Sequence, residues 1–169
     1  MSHSILIKRP ELSDGLAIFQ LVEQCPPLDT NSAYCNFLQA GHFGGTSAVA
    51  YSQSNELMGS ISAYRPPANP NVLFVWQVAV SEMARGHGLA KRMLQDILNR
   101  PECDGVAWVH TTITADNQGS WALFKSLAQQ LNAPLNQSVW LDKQTHFNGQ
   151  HDSEFLVEIG PFYRGPSAR

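Results

Sequence analysis

Apolar positions along this chain follow two periods, and the switches between them predict its elements. Residues 72–80, VLFVWQVAV, are apolar, β-branched or aromatic with one interruption, which predicts a central strand buried on both faces. Leu89, Met93, Leu94, Ile97 and Leu98 then recur at helical spacing and predict an amphipathic helix. Between the two lie Arg85, Gly86, His87, Gly88, Leu89 and Ala90, a glycine turn running straight into a helix start.

The same reading extends to both ends. A short apolar run at residues 4–8, stopped by Pro10, predicts a first strand. Ile18, Leu21, Val22 and Cys25 mark a helix with Asp14 as its N-cap, ended by Pro26 and Pro27. A second helix starting near Asn31 or Ser32 carries Tyr34, Phe37 and Leu38 and closes at Gly41, Gly44 and Gly45. Residues 47–52 and 57–64 predict a hairpin, and the three prolines of residues 65–71 a stiff loop. After the central strand and its helix come a strand at 106–113 and a helix at 120–131 with Trp121, Phe124, Leu127 and Leu131 inward. Short strands at 138–141 and 155–159 complete the pattern. This order implies an α/β (α+β) chain, a mixed sheet with helices on its faces.

Composition narrows the class. The 169 residues are expected to form one domain over 1–163, with 164–169 as a mobile tail. Hydrophobic residues make up 43%, enough for a packed core. Charged residues are only 15%, the net charge is −3, and no basic stripe occurs, so neither nucleic acid nor an anionic membrane is an expected partner. Cys25, Cys35 and Cys103 are odd in number and widely spaced, as for reduced thiols in a cytoplasmic protein. No long apolar stretch marks a signal peptide or membrane span near the amino terminus.

The glycine turn supplies the first chemistry. Glycines permit positive φ and leave room for a ligand beside the backbone. The unpaired N–H groups of a first helical turn, with the positive end of the helix dipole, attract phosphate oxygens. Arg85, Gly88 and Ala90, placed after a strand ending in Val78, Ala79 and Val80, match the pattern Gln/Arg-x-x-Gly-x-Gly/Ala. The module resembles the acetyl-CoA site of the GCN5-related N-acetyltransferases (GNAT), whose element order the chain also shares. That resemblance implies the GNAT fold, a mixed and mostly antiparallel central sheet flanked by helices. It implies acetyl-CoA as co-substrate, with the backbone at Val78 and Val80 and the turn from Arg85 to Ala90 in contact with it. Asn117 matches a family asparagine that touches the coenzyme arm; capping the following helix is its alternative and compatible role. Two positions depart from the family. Phe124 stands where many members carry a proton-donating tyrosine, and Phe74 where some carry a glutamate base.

More specific stretches are PPLD-x-NS at 26–32, YRPP-x-x-P-x-VLFVWQVAV at 64–80 and HF-x-x-x-H-x-x-E at 146–154. These closely resemble the L-2,4-diaminobutyrate N-acetyltransferases of ectoine biosynthesis, over nearly the whole chain outside its two ends. A diamino acid needs anions for its ammonium groups and donors for its carboxylate. Asp29 and Glu154 are the candidate anions, Asn31, His151 and Tyr34 the candidate donors, and Trp76 a wall for the methylenes or a face for an ammonium. The bland alternatives are helix capping for Asp29 and plain core for Trp76. His146 and His151, five apart, fit no regular helical metal pair, and no metal is expected. The expected reaction is direct transfer to the 4-amino group. Glu154 would act as base, with Asp29 gripping the 2-ammonium or exchanging roles with it, a Val78 N–H polarising the thioester and Tyr34 as candidate acid. The alternatives are acetylation of another small diamine or of a peptide amino terminus, and a non-catalytic acyl-CoA sensor. The resemblance further implies a homodimer.

Overall fold

The computed structural model describes residues 4–165, so of the tail expected at 164–169 residues 166–169 lie outside the described residues. Two compact units emerge.

The first comprises residues 4–65 and 75–104 of the described chain. It holds β1 (Leu6–Lys8), α1 (Gly15–Glu23), α2 (Ala33–His42), β2 (Ala48–Tyr51), β3 (Leu57–Tyr64), most of β4 (Val72–Val80) and α3 (Leu89–Leu98). Its strands lie in the order β1-β2-β3-β4, and β1/β2 and β2/β3 are antiparallel. Ile18, Leu21, Val22 and Cys25 of α1 and its end, with Ala40 of α2, pack on Val49 and Ala79 as one buried cluster. The helical face forecast for α3 is buried at all five positions, and α3 lies on β2 and β3. Strand residues point alternately to either face, so one apolar set meets α1 and another meets α3.

Capping decides the helix starts. Ser32 caps α2, its Oγ accepting from Cys35 N at 3.1 Å, so Asp29 is free of that duty. Asp14 does occupy the N-cap position of α1, but its carboxylate does not cap that helix. It accepts instead from Glu11 N at 2.7 Å and from the hydroxyl of half-buried Tyr51 at 2.5 Å. Burial first, then the Asp14 carboxylate beside it, pushes the Tyr51 phenol well above its usual range. Arg100 just beyond α3 is buried, pairs with Asp96 at 2.6 Å and donates to the carbonyls of Gly44, Gly45 and Ser47.

The second unit comprises residues 66–74 and 105–165 and contains β5 (Trp108–Thr114), α4 (Gln118–Gln130), β6 (Leu135–Leu141) and β7 (Glu154–Ile159). Residues 72–74 of β4 belong here, followed by the antiparallel order β5-β7-β6. Val109, Ile113, Phe124, Leu127, Val157 and Ile159 are buried to 2% exposure or less. Helix α4 starts two residues earlier than its apolar spacing suggests, because Asn117 caps it, and Leu131 is its half-buried C-cap. Strand β6 starts three residues before the expected segment, since pairing with β7 continues down to Leu135 through polar residues that periodicity does not mark.

One expectation fails. Strand β4 is not buried on both faces: Leu73, Val75 and Ala79 are buried, whereas Phe74, Val78 and Val80 are half-buried and Trp76 is exposed. The open row has aromatic neighbours rather than a closed cover. Tyr64 stands edge-on to Trp76, ring centroids 6.2 Å apart, and Trp140 lies 6.3 Å from Phe74. An uninterrupted apolar run cannot reveal that half of it faces outward.

Candidate active site

In the first unit, three polar groups expected from sequence sit on two neighbouring elements. Asp29 and Asn31 lie in the loop between α1 and α2, and Tyr34 opens α2, 71% exposed. The loop is tied to β4 by Gln77, whose Nε2 donates to Asp29 O at 2.9 Å and whose Oε1 lies 3.5 Å from Asn31 Nδ2. Gln77 belongs to the row of Val75 and Ala79, the row that packs towards α1. It is a residue the sequence reading passed over. Its signal was a single carboxamide inside an otherwise apolar row. Trp76, its neighbour, points to the other side and is 43% exposed, so it is not a core residue.

The glycine turn follows directly. Gly86 and Gly88 have φ of +79° and +69°, and nothing lies within 4 Å of a Cβ built at either position. Gly88 is the N-cap residue of α3, and the first ladder bond runs from Arg92 N to Gly88 O at 3.1 Å. The N–H groups of Leu89 and Ala90 therefore face out of the helix end, beside exposed Gly86, His87 and Gly88. Two bonds seat the end of β4. Val80 O accepts from Arg85 Nε at 3.1 Å and from Cys25 Sγ at 3.4 Å. Arg85 thus braces the strand end with its Nε, and its terminal amino groups remain for an anion. The turn thus has positive-φ glycines, open space beside them and helix-end N–H groups, the features that anion binding uses.

In the second unit, Thr114 stands between two further candidates, Asn117 and Glu154. Its carbonyl accepts from Asn117 N at 3.2 Å and from Trp121 Nε1 at 3.0 Å, and it stands opposite Glu154 in the β5/β7 register. Asn117 Oδ1 accepts from Ser120 N at 3.1 Å, so the capping role is real, and the Nδ2 amide remains for a ligand. Glu154 begins β7, half-buried, and Trp121 stands 6.4 Å from Phe155 edge-on. The anchoring role of Trp121 and Thr114 was hidden in sequence, where Trp121 read only as an inward helix residue.

Residues 142–153 form a wound loop that carries His151. Backbone N–H groups of Thr145 and Gln144 hold the Asp142 carboxyl below its usual range, and Lys143 at 2.9 Å does the same for Asp152. His146 Nδ1 accepts from Asp142 N at 2.7 Å, so that ring serves the turn. His151 Nδ1 lies 2.6 Å from Asp152 O, and its ring is 4.6 Å from that of Phe147. A carbonyl only accepts, so Nδ1 carries a proton in that contact and Nε2 is the ring nitrogen left for another partner. No group of three His, Cys, Asp or Glu residues among the described residues is arranged to hold a metal ion. Phe124 is buried core, as a side chain with no proton to give.

Comparison with known proteins shows the family and the fold. The family model described as "Acetyltransferase (GNAT) family" matches residues 16–128. The L-2,4-diaminobutyric acid acetyltransferase of Methylotuvimicrobium alcaliphilum is 49% identical over 94% of this chain and 91% of its own. That of Halomonas elongata is 46% identical over 94% and 82%. Diaminobutyrate acetyltransferase EctA from Paenibacillus lautus, solved with its substrate L-2,4-diaminobutyric acid and coenzyme A, superposes with a TM-score of 0.91 at 36% identity, covering 97% of this chain and 99% of that one. The Escherichia coli ribosomal-protein-S18-alanine N-acetyltransferase, at 14% identity and a TM-score of 0.73, shares the fold.

Proposed function

This chain belongs to the acetyltransferase (GNAT) family and is an acetyl-CoA-dependent N-acetyltransferase; on that premise we propose that its acceptor is L-2,4-diaminobutyrate, acetylated at the 4-amino nitrogen for ectoine biosynthesis. The observation that carries this reading is the 49% identity with a diaminobutyric acid acetyltransferase across nearly the full length of both chains. The match over residues 16–128 draws on both compact units, which supports one catalytic domain over 1–163.

The pyrophosphate of acetyl-CoA rests on the backbone from Arg85 to Ala90, and Asn117 Nδ2 contacts the coenzyme arm. Asp29 holds the 2-ammonium, Trp76 walls the methylene chain, and His151 and Tyr34 serve the polar ends of the acceptor. Alkyl ammonium groups are protonated near neutral pH, so the 4-amino group must first lose a proton, and Glu154 accepts it. The freed nitrogen then attacks the thioester carbon. A C–N bond forms, the carbonyl oxygen takes up negative charge beside the Val78 N–H, and the C–S bond breaks as the carbonyl reforms. As the thiolate leaves, the nitrogen sheds its second proton, and the thiolate is protonated through Tyr34 or water, so the products are the neutral amide and the free thiol. No acetyl-enzyme is needed, because holding both substrates together supplies most of the acceleration. A cytoplasmic homodimer is the assembly that accompanies this reading.

The test is the product formed from diaminobutyrate and acetyl-CoA, its mass and acetyl position read by mass spectrometry and NMR beside ornithine, lysine and a short peptide. N4-acetyldiaminobutyrate formed in preference to the other products is expected. Preference for another acceptor would overturn the assignment, and amine-independent behaviour would leave only a coenzyme-binding protein.

A further inference from the structure

Among the polar groups that the mechanism leaves without a task, Gln77 is the most constrained. Its carboxamide lies between two atoms of the acceptor loop: Asp29 O, 2.9 Å from Nε2, and Asn31 Nδ2, 3.5 Å from Oε1. Hydrogen-bond chemistry orients the whole relay. Asp29 O is a backbone carbonyl and can only accept, so Gln77 must turn its NH2 group to it. The Gln77 oxygen is then committed to the other side, where it can only accept. Asn31 must answer with its own NH2 group. That leaves Asn31 Oδ1, an acceptor, on the side away from β4. A reversed amide would set oxygen against oxygen at Asp29 O and nitrogen against nitrogen at Asn31, which fixes this orientation.

We infer that Gln77 is a positioning residue for substrate selection: it pins the Asp29 loop to β4 and turns the Asn31 carbonyl oxygen towards the acceptor, making Asn31 a second acceptor for the 2-ammonium group beside the Asp29 carboxylate. Asn31 is thereby an ammonium ligand and not a carboxylate donor. A carboxylate and an amide oxygen together satisfy two of the three ammonium hydrogens in fixed directions, and a single flexible carboxylate does not. Selection for an acceptor with an ammonium group two carbons from the reacting amine's chain end follows from that pairing. This inference rests on diaminobutyrate as the acceptor.

The test uses Gln77→Met, which keeps the length of the side chain and removes both bonds. Steady-state kinetics are measured with diaminobutyrate and with 4-aminobutyrate, which lacks the 2-ammonium group, in wild type, Gln77→Met, Asn31→Ala and the double variant. The expected result is a rise of roughly ten-fold in KM for diaminobutyrate in Gln77→Met, with kcat and the KM for acetyl-CoA close to wild type. Turnover of 4-aminobutyrate, expected to be far below that of diaminobutyrate in wild type, should be the same in Gln77→Met. In the double variant Asn31→Ala should add little, because an unheld Asn31 is already lost as a ligand. A merely structural Gln77 would move the KM of both substrates together and act on 4-aminobutyrate equally; that result overturns the inference, as does full additivity in the double variant. Should Gln77→Met not fold, Gln77→Glu keeps the acceptor towards Asn31 and loses the donor to Asp29 O, and an intermediate KM for diaminobutyrate alone is expected. Wild-type enzyme that does not acetylate diaminobutyrate would overturn the proposed function itself; wild-type activity with an unaffected Gln77 variant overturns only this inference.

Discussion

Replacing Gly88 by alanine separates the backbone geometry of the phosphate turn from its service to the coenzyme. Gly88 sits at φ +69° and ψ 19°, in the left-handed region, as the N-cap residue of α3. A Cβ there meets nothing within 4 Å, so no clash contributes and the cost is conformational alone. That cost is about 1–2 kcal/mol, a fall of roughly 2–8 °C in Tm for a chain of this size. The new methyl group also stands in the space next to the Leu89 and Ala90 amides. Losing one charge-assisted hydrogen bond to a phosphate oxygen is worth about 1.5–3 kcal/mol, so the KM for acetyl-CoA should rise ten-fold or more, with the KM for the amine unaffected. Gly105 provides the control. It has φ +79°, again with nothing within 4 Å of an added Cβ, but precedes β5 and lies in another part of the sequence. Gly105→Ala should lose the same stability and keep the wild-type KM for acetyl-CoA. Thermal unfolding and initial-rate kinetics on both variants decide the matter. Equal stability losses accompanied by equal, unchanged KM values would refute the placing of phosphate at this turn.

Glu154→Gln should depress kcat strongly with little change in coenzyme affinity measured by titration, and wild-type turnover would remove Glu154 as the base. Arg100→Met removes the guanidinium that the carbonyls of Gly44, Gly45 and Ser47 share and leaves Asp96 without its partner, a loss of about 3 kcal/mol in denaturant unfolding; less than 1 kcal/mol would contradict the clamp. His110 is held below the usual imidazole range, by burial first and against the opposing pull of Glu158 at 3.6 Å. The unfolded chain therefore binds the extra proton first, so this group's stabilisation is complete above about pH 6.5 and is lost as pH falls through the lowered folded value. His110→Gln should lack that acid-side decline when unfolding free energies are compared across pH, and a steeper decline in the variant would reverse the sign.

Elements with strong periodicity were legible without coordinates. The five apolar residues of α3 are all buried, and the glycine turn stands where its sequence announced it, because both rest on local geometry. Asp14 misled in its side chain, since a local capping rule cannot anticipate that Tyr51, distant in sequence, offers a better partner. The polar start of β6 was invisible for a like reason: its pairing with β7 comes from backbone hydrogen bonds, not from an apolar pattern.

The candidate site divides along the same line. Residue types alone determined which chemistry was available: a turn able to bind phosphate, carboxylates at 29 and 154, an aromatic at 76, and phenylalanine where an acid or base might stand. Tertiary structure decided their states. It opened one face of β4 so that Trp76 is exposed, made Ser32 rather than Asp29 the cap, joined Asn117 and Glu154 through Thr114, and oriented Asn31 through Gln77. Side-chain identity sets what a group can donate or accept; which of its atoms remain free depends on partners that only the folded chain brings within 3 Å or so.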